Sequence, residues 1–176
     1  MPQISEAVRR DQRLVKSEFE RLLHTTPAER PAPSDFIWAL DRYLIVEDLV
    51  LTPALENHVA RGGERRRRLS DDFESMNLKL RHMRQYDTAE PSFDAAMHAI
   101  WVDLEPHIRE EASEDLDRLE QNMARSDSEA LGRKYEHIKE LLQKPYGKGG
   151  VPDERTLDAI LEMPRQELMT KLGVYT

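Results

Sequence analysis

Residues 69–83 read Leu69-Ser70-Asp71-Asp72-Phe73-Glu74-Ser75-Met76-Asn77-Leu78-Lys79-Leu80-Arg81-His82-Met83. Leu69, Phe73, Met76, Leu80 and Met83 recur at alternating steps of four and three, the spacing that stacks side chains on one stripe of an α-helix. Most intervening residues are charged or polar. Such a segment is stable only when its stripe is buried against other elements. The spacing predicts a helix from about Arg65 to Tyr86, and the same period extends outward in both directions.

Upstream, a helix is expected from about Ile4 to Leu23, with Ile4, Val8, Val15, Phe19 and Leu22 on one stripe and Gln12 on a core position of the same row. After a turn over Pro27 to Pro33, Ser34 or Asp35 can cap a second helix reaching His58. Its stripe is Phe36, Leu40, Tyr43, Glu47, Val50 and Ala54. Pro53 inside it offers no donor to the Leu49 carbonyl and should bend the axis. Downstream, a fourth helix from about Ser92 to Asn122 carries Phe93, Met97, Ile100, Leu104, His107 and Glu111 on one row, with Pro106 beside His107.

Strand signals are nearly absent. The expected fold is therefore all-α, an up-down four-helix bundle over residues 1–124. Residues 125–176 read as a helical appendage: a helix over Ser128 to Leu142, a Pro/Gly loop from Pro145 to Pro152, and short helices ending at Gly173. It is expected to pack over one end of the bundle, making a single domain overall.

Composition narrows the chemistry. The 176 residues suit one domain, and 39% hydrophobic with 34% charged residues suits amphipathic helices with solvated outer faces. With no Cys, thiolate nucleophiles, disulfides, iron–sulfur clusters and Cys-ligated zinc are excluded. No segment approaches the ~20 apolar residues of a membrane span, and Met1 to Gln12 lacks the apolar run of a secretion signal, so a cytoplasmic protein without a membrane partner is expected. The net charge of -8 disfavours nucleic acid. The run Arg65-Arg66-Arg67-Arg68 reads as a solvated loop entering the next helix, because no interleaved aromatics accompany it.

Gln12, Tyr43, Glu47, His107 and Glu111 interrupt rows that are otherwise apolar. An unsatisfied buried polar group costs about 1–3 kcal/mol and a charged one more. The five must hydrogen-bond one another, bind a metal, or line a wet pocket.

Taken in order, these segments resemble the hemerythrin-like HHE cation-binding proteins, in a long form with a C-terminal appendage. Ile4-Ser5-Glu6-Ala7-Val8-Arg9-Arg10-Asp11 is similar to the family's entry to its first helix, where an Asp-His pair is expected; here Gln12 follows Asp11. Where the second helix of the family shows His, three residues, then Glu and a Pro-containing exit, this chain has Tyr43, Glu47 and Thr52-Pro53-Ala54. The ligand His of the third helix aligns with Ser75, or with Met76 if the apolar stripe sets the register. The fourth-helix pattern of His followed by a carboxylate is present as His107-Ile108-Arg109-Glu110-Glu111, and Leu116-Asp117-Arg118-Leu119-Glu120 and the tail from Pro145 to Leu172 are similar to long-form members. The resemblance implies a cradle that binds two irons through about five to seven ligands. Of that set Glu47, His107 and Glu111 remain.

Gln, Tyr and Ser at the vacated positions are hydrogen-bonding groups, where packing pressure alone would install Leu, Val or Met. The first expectation is a pocket without metal or other cofactor, taking a small apolar organic molecule. In it His107 would act as general acid or base, Glu47 or Glu111 would orient it, and Tyr43 would donate a proton, as in isomerase, lyase or cyclase chemistry of specialised metabolism. Gln12 and Ser75 would hydrogen-bond the substrate, and Phe36, Leu40, Ile100 and Leu104 would wall it. The alternative is a single iron or other divalent ion on Glu47, His107 and Glu111, and a third reading is a non-catalytic regulatory bundle. His24, His58, His98 and His137 are expected at or near the surface; His82 is open between surface and pocket.

Overall fold

The computed structural model describes residues 2–147 and 149–173, so the expected appendage residues 174–176 lie outside the described residues. Nine α-helices are described: α1 Ile4–His24, α2 Ser34–Val46, α3 Thr52–His58, α4 Gly62–Met83, α5 Pro91–Glu110, α6 Leu116–Gln121, α7 Arg125–Gln143, α8 Glu154–Glu162 and α9 Arg165–Leu172. There is no strand among the described residues. The four expected bundle helices are all present as an all-α, up-down arrangement with short connections.

Two of the expected helices are each continuous through a π-helical turn. Glu47–Leu51 joins α2 to α3, and Glu111–Asp115 joins α5 to α6. In each, the closing amide donates to the carbonyl of its first residue, Thr52 to Glu47 and Leu116 to Glu111. A π turn widens the helix locally and recurs at functional sites. Pro53 follows directly on the first, in the opening turn of α3, where its missing donor is tolerated. The wider turn at Glu47–Leu51 thus accommodates the proline that sequence alone marks as a bend.

The expected stripes form the core: Val8, Val15, Phe36, Leu40, Met76, Leu80, Ile100 and Leu104 have no exposed surface. Phe73 is only half-buried and packs at the edge. The corner between α3 and α4 depends on close backbone approach, since a Cβ at Gly62 would lie 2.1 Å from the Leu55 carbonyl oxygen. Arg61 makes that corner with a left-handed backbone, φ 62.

The appendage departs from expectation. Instead of crossing one end, α7 runs beside α1: Ser128 Oγ accepts from the Ile4 amide at 3.2 Å, and further along Lys139 Nζ reaches Asp11 at 2.6 Å. Helix α8 lies on α4, where Asn77 donates to the Leu161 carbonyl at 3.0 Å and Arg84 pairs with Asp158 at 2.6 Å. The loop after α7 is held against α2 by Trp38, whose indole N–H donates to the Gly150 carbonyl at 2.7 Å. Helix α2 is consequently buried on every side from Phe36 to Val46.

The arginine run is also corrected. Residues 65–68 lie inside the opening turns of α4, where Arg65 pairs with Asp115 at 2.7 Å, Arg66 with Glu56, and Arg68 with Glu110 at 3.2 Å. Local carboxylates neutralise most of the run. No helix among the described residues is long and apolar enough to cross a membrane.

Candidate metal centre

Gln12 from α1, Tyr43 from α2, Glu47 from the first π turn, His107 from α5 and Glu111 from the second π turn converge in the bundle, each 4% exposed or less. The helical period carries these side chains inward, because each occupies a core position of its row. Both carboxylates open a π turn.

The hydrogen bonds divide the cluster. The Tyr43 hydroxyl donates to Glu111 Oε1 at 2.5 Å, and the Gln12 amide donates to the same oxygen at 2.9 Å. His107 Nε2 lies 3.0 Å from Glu47 Oε2 and 3.6 Å from Glu111 Oε2, so one ring nitrogen faces both carboxylates. Glu111 Oε2 is buried and has no hydrogen-bond partner. On the far side, His107 Nδ1 is 3.3 Å from Asp72 Oδ2.

Asp72 is the neighbour of the cluster that sequence reasoning missed. It lies one helical turn before the position where Ser75 or Met76 was expected. Met76 faces the core with no exposed surface, whereas Ser75 donates to Asp103 at 2.8 Å across the seam between α4 and α5. Ser75 therefore does not join the cluster. The available signal was spacing, since Asp72 sits one turn before Met76 on α4.

The residues expected as walls around an organic substrate lie in the core. Phe36, Leu40, Ile100 and Leu104 are fully buried. The crevice beside the cluster, lined by Leu44, Glu47, Asp48, Thr52, Leu69 and Phe73, holds ≈ 10 Å³, space for about one water. Substrate-binding roles for those four apolar residues are not supported. His82 is exposed and shares a hydrogen bond with the Tyr86 hydroxyl at 3.0 Å, and His24, His58, His98 and His137 are exposed as expected.

Electrostatics bind the cluster together. Burial pushes the Glu111 carboxyl well above its ordinary range, and the neighbouring charge of Glu47 adds to this. Burial also opposes ionisation of Glu47, but the His107 charge and hydrogen bond outweigh it and hold Glu47 low. For His107, burial disfavours the imidazolium, yet Glu47 and Asp72 together raise it well above 6.5. The hydrogen bond from His107 likewise lowers Asp72. Burial raises the Tyr43 phenol, with Glu111 and Glu47 adding to it.

These shifts fix a pH dependence for the chelator-treated protein. The raised His107 contributes stability that is complete below 6.5 and is lost as pH rises through its folded value. The raised Glu111 has the same sign from 4.5 upward, while the lowered Glu47 contributes above 4.5 and is lost in acid. The free energy of unfolding should therefore fall as pH rises above 6.5. Urea melts across that range check it; a flat or rising curve contradicts the assignment.

The three atoms Glu47, His107 and Glu111 would offer to a metal lie within 4.8 Å of one another. One imidazole and two carboxylates suit a hard or borderline divalent ion such as Fe²⁺ or Mn²⁺. Three such ligand atoms are enough to hold one ion.

With that geometry established, the hemerythrin HHE cation binding domain family matches residues 3–119. The chain belongs to this family. An uncharacterized hemerythrin-like protein of Schizosaccharomyces pombe is 23% identical over 148 residues, covering 81% of this chain and 71% of the yeast protein. No solved structure matches the chain. Within the hemerythrin bundle the family match ends in α6, so the Asp11 contacts to Tyr135 and Lys139 join it to a helix beyond the matched region.

Proposed function

We propose that this hemerythrin-like protein binds a single divalent metal ion, iron foremost, through Glu47, His107 and Glu111. The observation that carries the reading is the buried Glu111 Oε2, which lacks a partner while facing the same imidazole nitrogen as Glu47. An orphaned carboxylate oxygen costs about 1–3 kcal/mol or more, and a cation between the three groups removes that cost.

The rest of the chain is arranged to serve such an ion. Asp72 accepts the Nδ1 proton of His107, which fixes the tautomer with the Nε2 lone pair directed at the carboxylates. Tyr43 and Gln12 hold Glu111 Oε1, leaving Oε2 as the ligand atom. Iron held there would supply Lewis-acid or one-electron chemistry in a water-poor site. The narrow crevice beside Glu47 limits access to about one water-sized molecule.

A second reading keeps the site metal-free. It is favoured by the raised His107 and Glu111 and lowered Glu47, since an imidazolium, one carboxylate and one neutral carboxyl balance without an ion. Acid/base chemistry on a small organic molecule, of isomerase, lyase or cyclase type, would then need a movement that opens the packed walls.

Elemental analysis after anaerobic reconstitution with Fe²⁺ and desalting distinguishes the readings. The expected content approaches one iron per chain, without oxo-bridged di-iron absorption. Two irons per chain, or none at saturating iron, would overturn the single-ion reading, and the second outcome favours the metal-free site.

A further inference from the structure

Arg42 lies in the middle of α2 and retains 5% of its exposure. Its Nε is enclosed without a hydrogen-bond partner, and the guanidinium forms no ion pair among the described residues. Arginine stays charged in proteins, so a buried guanidinium that no carboxylate pairs directly favours an anion from outside the chain.

Arg42 lines a cleft of ≈ 210 Å³ between α1, α2 and the loop after α7. Leu14, Trp38, Ala39 and Val151 provide apolar walls, and Gln143 a further polar group. Leu14 is 40% exposed, one of the few large apolar side chains to face solvent. The far wall is fixed: the Trp38 indole donates to Gly150, and its ring meets Tyr146 edge-on at 5.6 Å. Glu18 and Asp35 also line the cleft, but both are engaged by Arg21, at 2.9 and 3.0 Å.

We propose that this cleft binds a small monocarboxylate with an apolar body, its carboxylate on Arg42. The planar guanidinium fork matches a carboxylate, and the apolar walls match a hydrocarbon tail. With Glu18 and Asp35 already paired to Arg21, Arg42 leaves one positive charge in the cleft, which matches a single negative charge better than a multiply charged anion such as phosphate. The volume lies below the ~300–1,000 Å³ of drug-sized pockets, so the ligand is short.

The test uses the full chain and hexanoate as probe, followed by ligand-detected NMR and calorimetry, with hexanol and inorganic phosphate as comparators. Hexanoate should bind saturably and about tenfold or more tightly than either comparator. Arg42→Gln should remove that preference. Ala39→Leu, which fills the cleft while leaving the charge, should abolish binding even if Arg42→Gln fails to fold. Hexanoate binding no tighter than hexanol or phosphate, or unchanged in folded Arg42→Gln or in Ala39→Leu, would overturn the proposal.

Discussion

His107→Ala is expected to abolish metal retention and to destabilise the protein at neutral pH. The imidazole supplies the nitrogen ligand, so the loss of affinity should exceed the ~10–100-fold that removing an outer-shell partner costs. In the metal-free protein, where its neighbours favour protonation, it is also the cation facing Glu47 at 3.0 Å and Glu111 at 3.6 Å. Without it two buried carboxylates confront each other, and breaking a buried pair typically costs about 3–5 kcal/mol. The variant should recover stability in mild acid, because Glu47 then ionises only at higher pH than in the parent. Iron content and urea melts at two pH values check both parts; a variant that retains stoichiometric iron refutes the ligand assignment. Tyr43→Phe, by contrast, removes one hydroxyl from Glu111 and should leave the metal bound with weaker orientation of that carboxylate.

The second large effect lies outside the centre. Asp11 is 2% exposed and accepts from the Tyr135 hydroxyl at 2.9 Å and Lys139 Nζ at 2.6 Å. Asp11→Ala leaves a mostly buried ammonium with, among the described residues, only Glu136, at 3.7 Å, as a paired anion. A loss of about 3–5 kcal/mol follows, roughly 10 °C in Tm for a chain of this size. Amide exchange should accelerate first in α7. Asp11→Leu combined with Lys139→Met should restore part of the loss, since apolar replacement of both partners removes the unpaired charge. A single-variant loss below about 1 kcal/mol would mean that α7 is held by packing alone.

Asp11 also illustrates the limit of reading the chain without coordinates. It adjoins Gln12, and the sequence offered it only as part of a family-like entry motif. Its partners lie more than a hundred residues away, and no local period links them. Helix α2 shows the reverse case. Its off-stripe residues Ile37, Trp38, Leu44 and Ile45 are apolar, a signal that the stripe-by-stripe reading passed over and that the structure explains by covering the helix on all sides.

What the sequence by itself determined is the set of helices and the inward rows, because a 3.6-residue period fixes which side chains share a face whatever the face meets. Gln12, Tyr43, Glu47, His107 and Glu111 were legible for that reason: polar groups on an apolar row are conspicuous in one dimension. What only the tertiary structure decided is everything that depends on distance between rows. It set Asp72 beside His107 and Ser75 against Asp103, buried the expected substrate walls, turned two carboxylates into openings of π turns, and laid α7 beside α1. Ligation, hydrogen bonding and cavity volume change over fractions of an ångström, whereas periodicity locates a side chain only to a face.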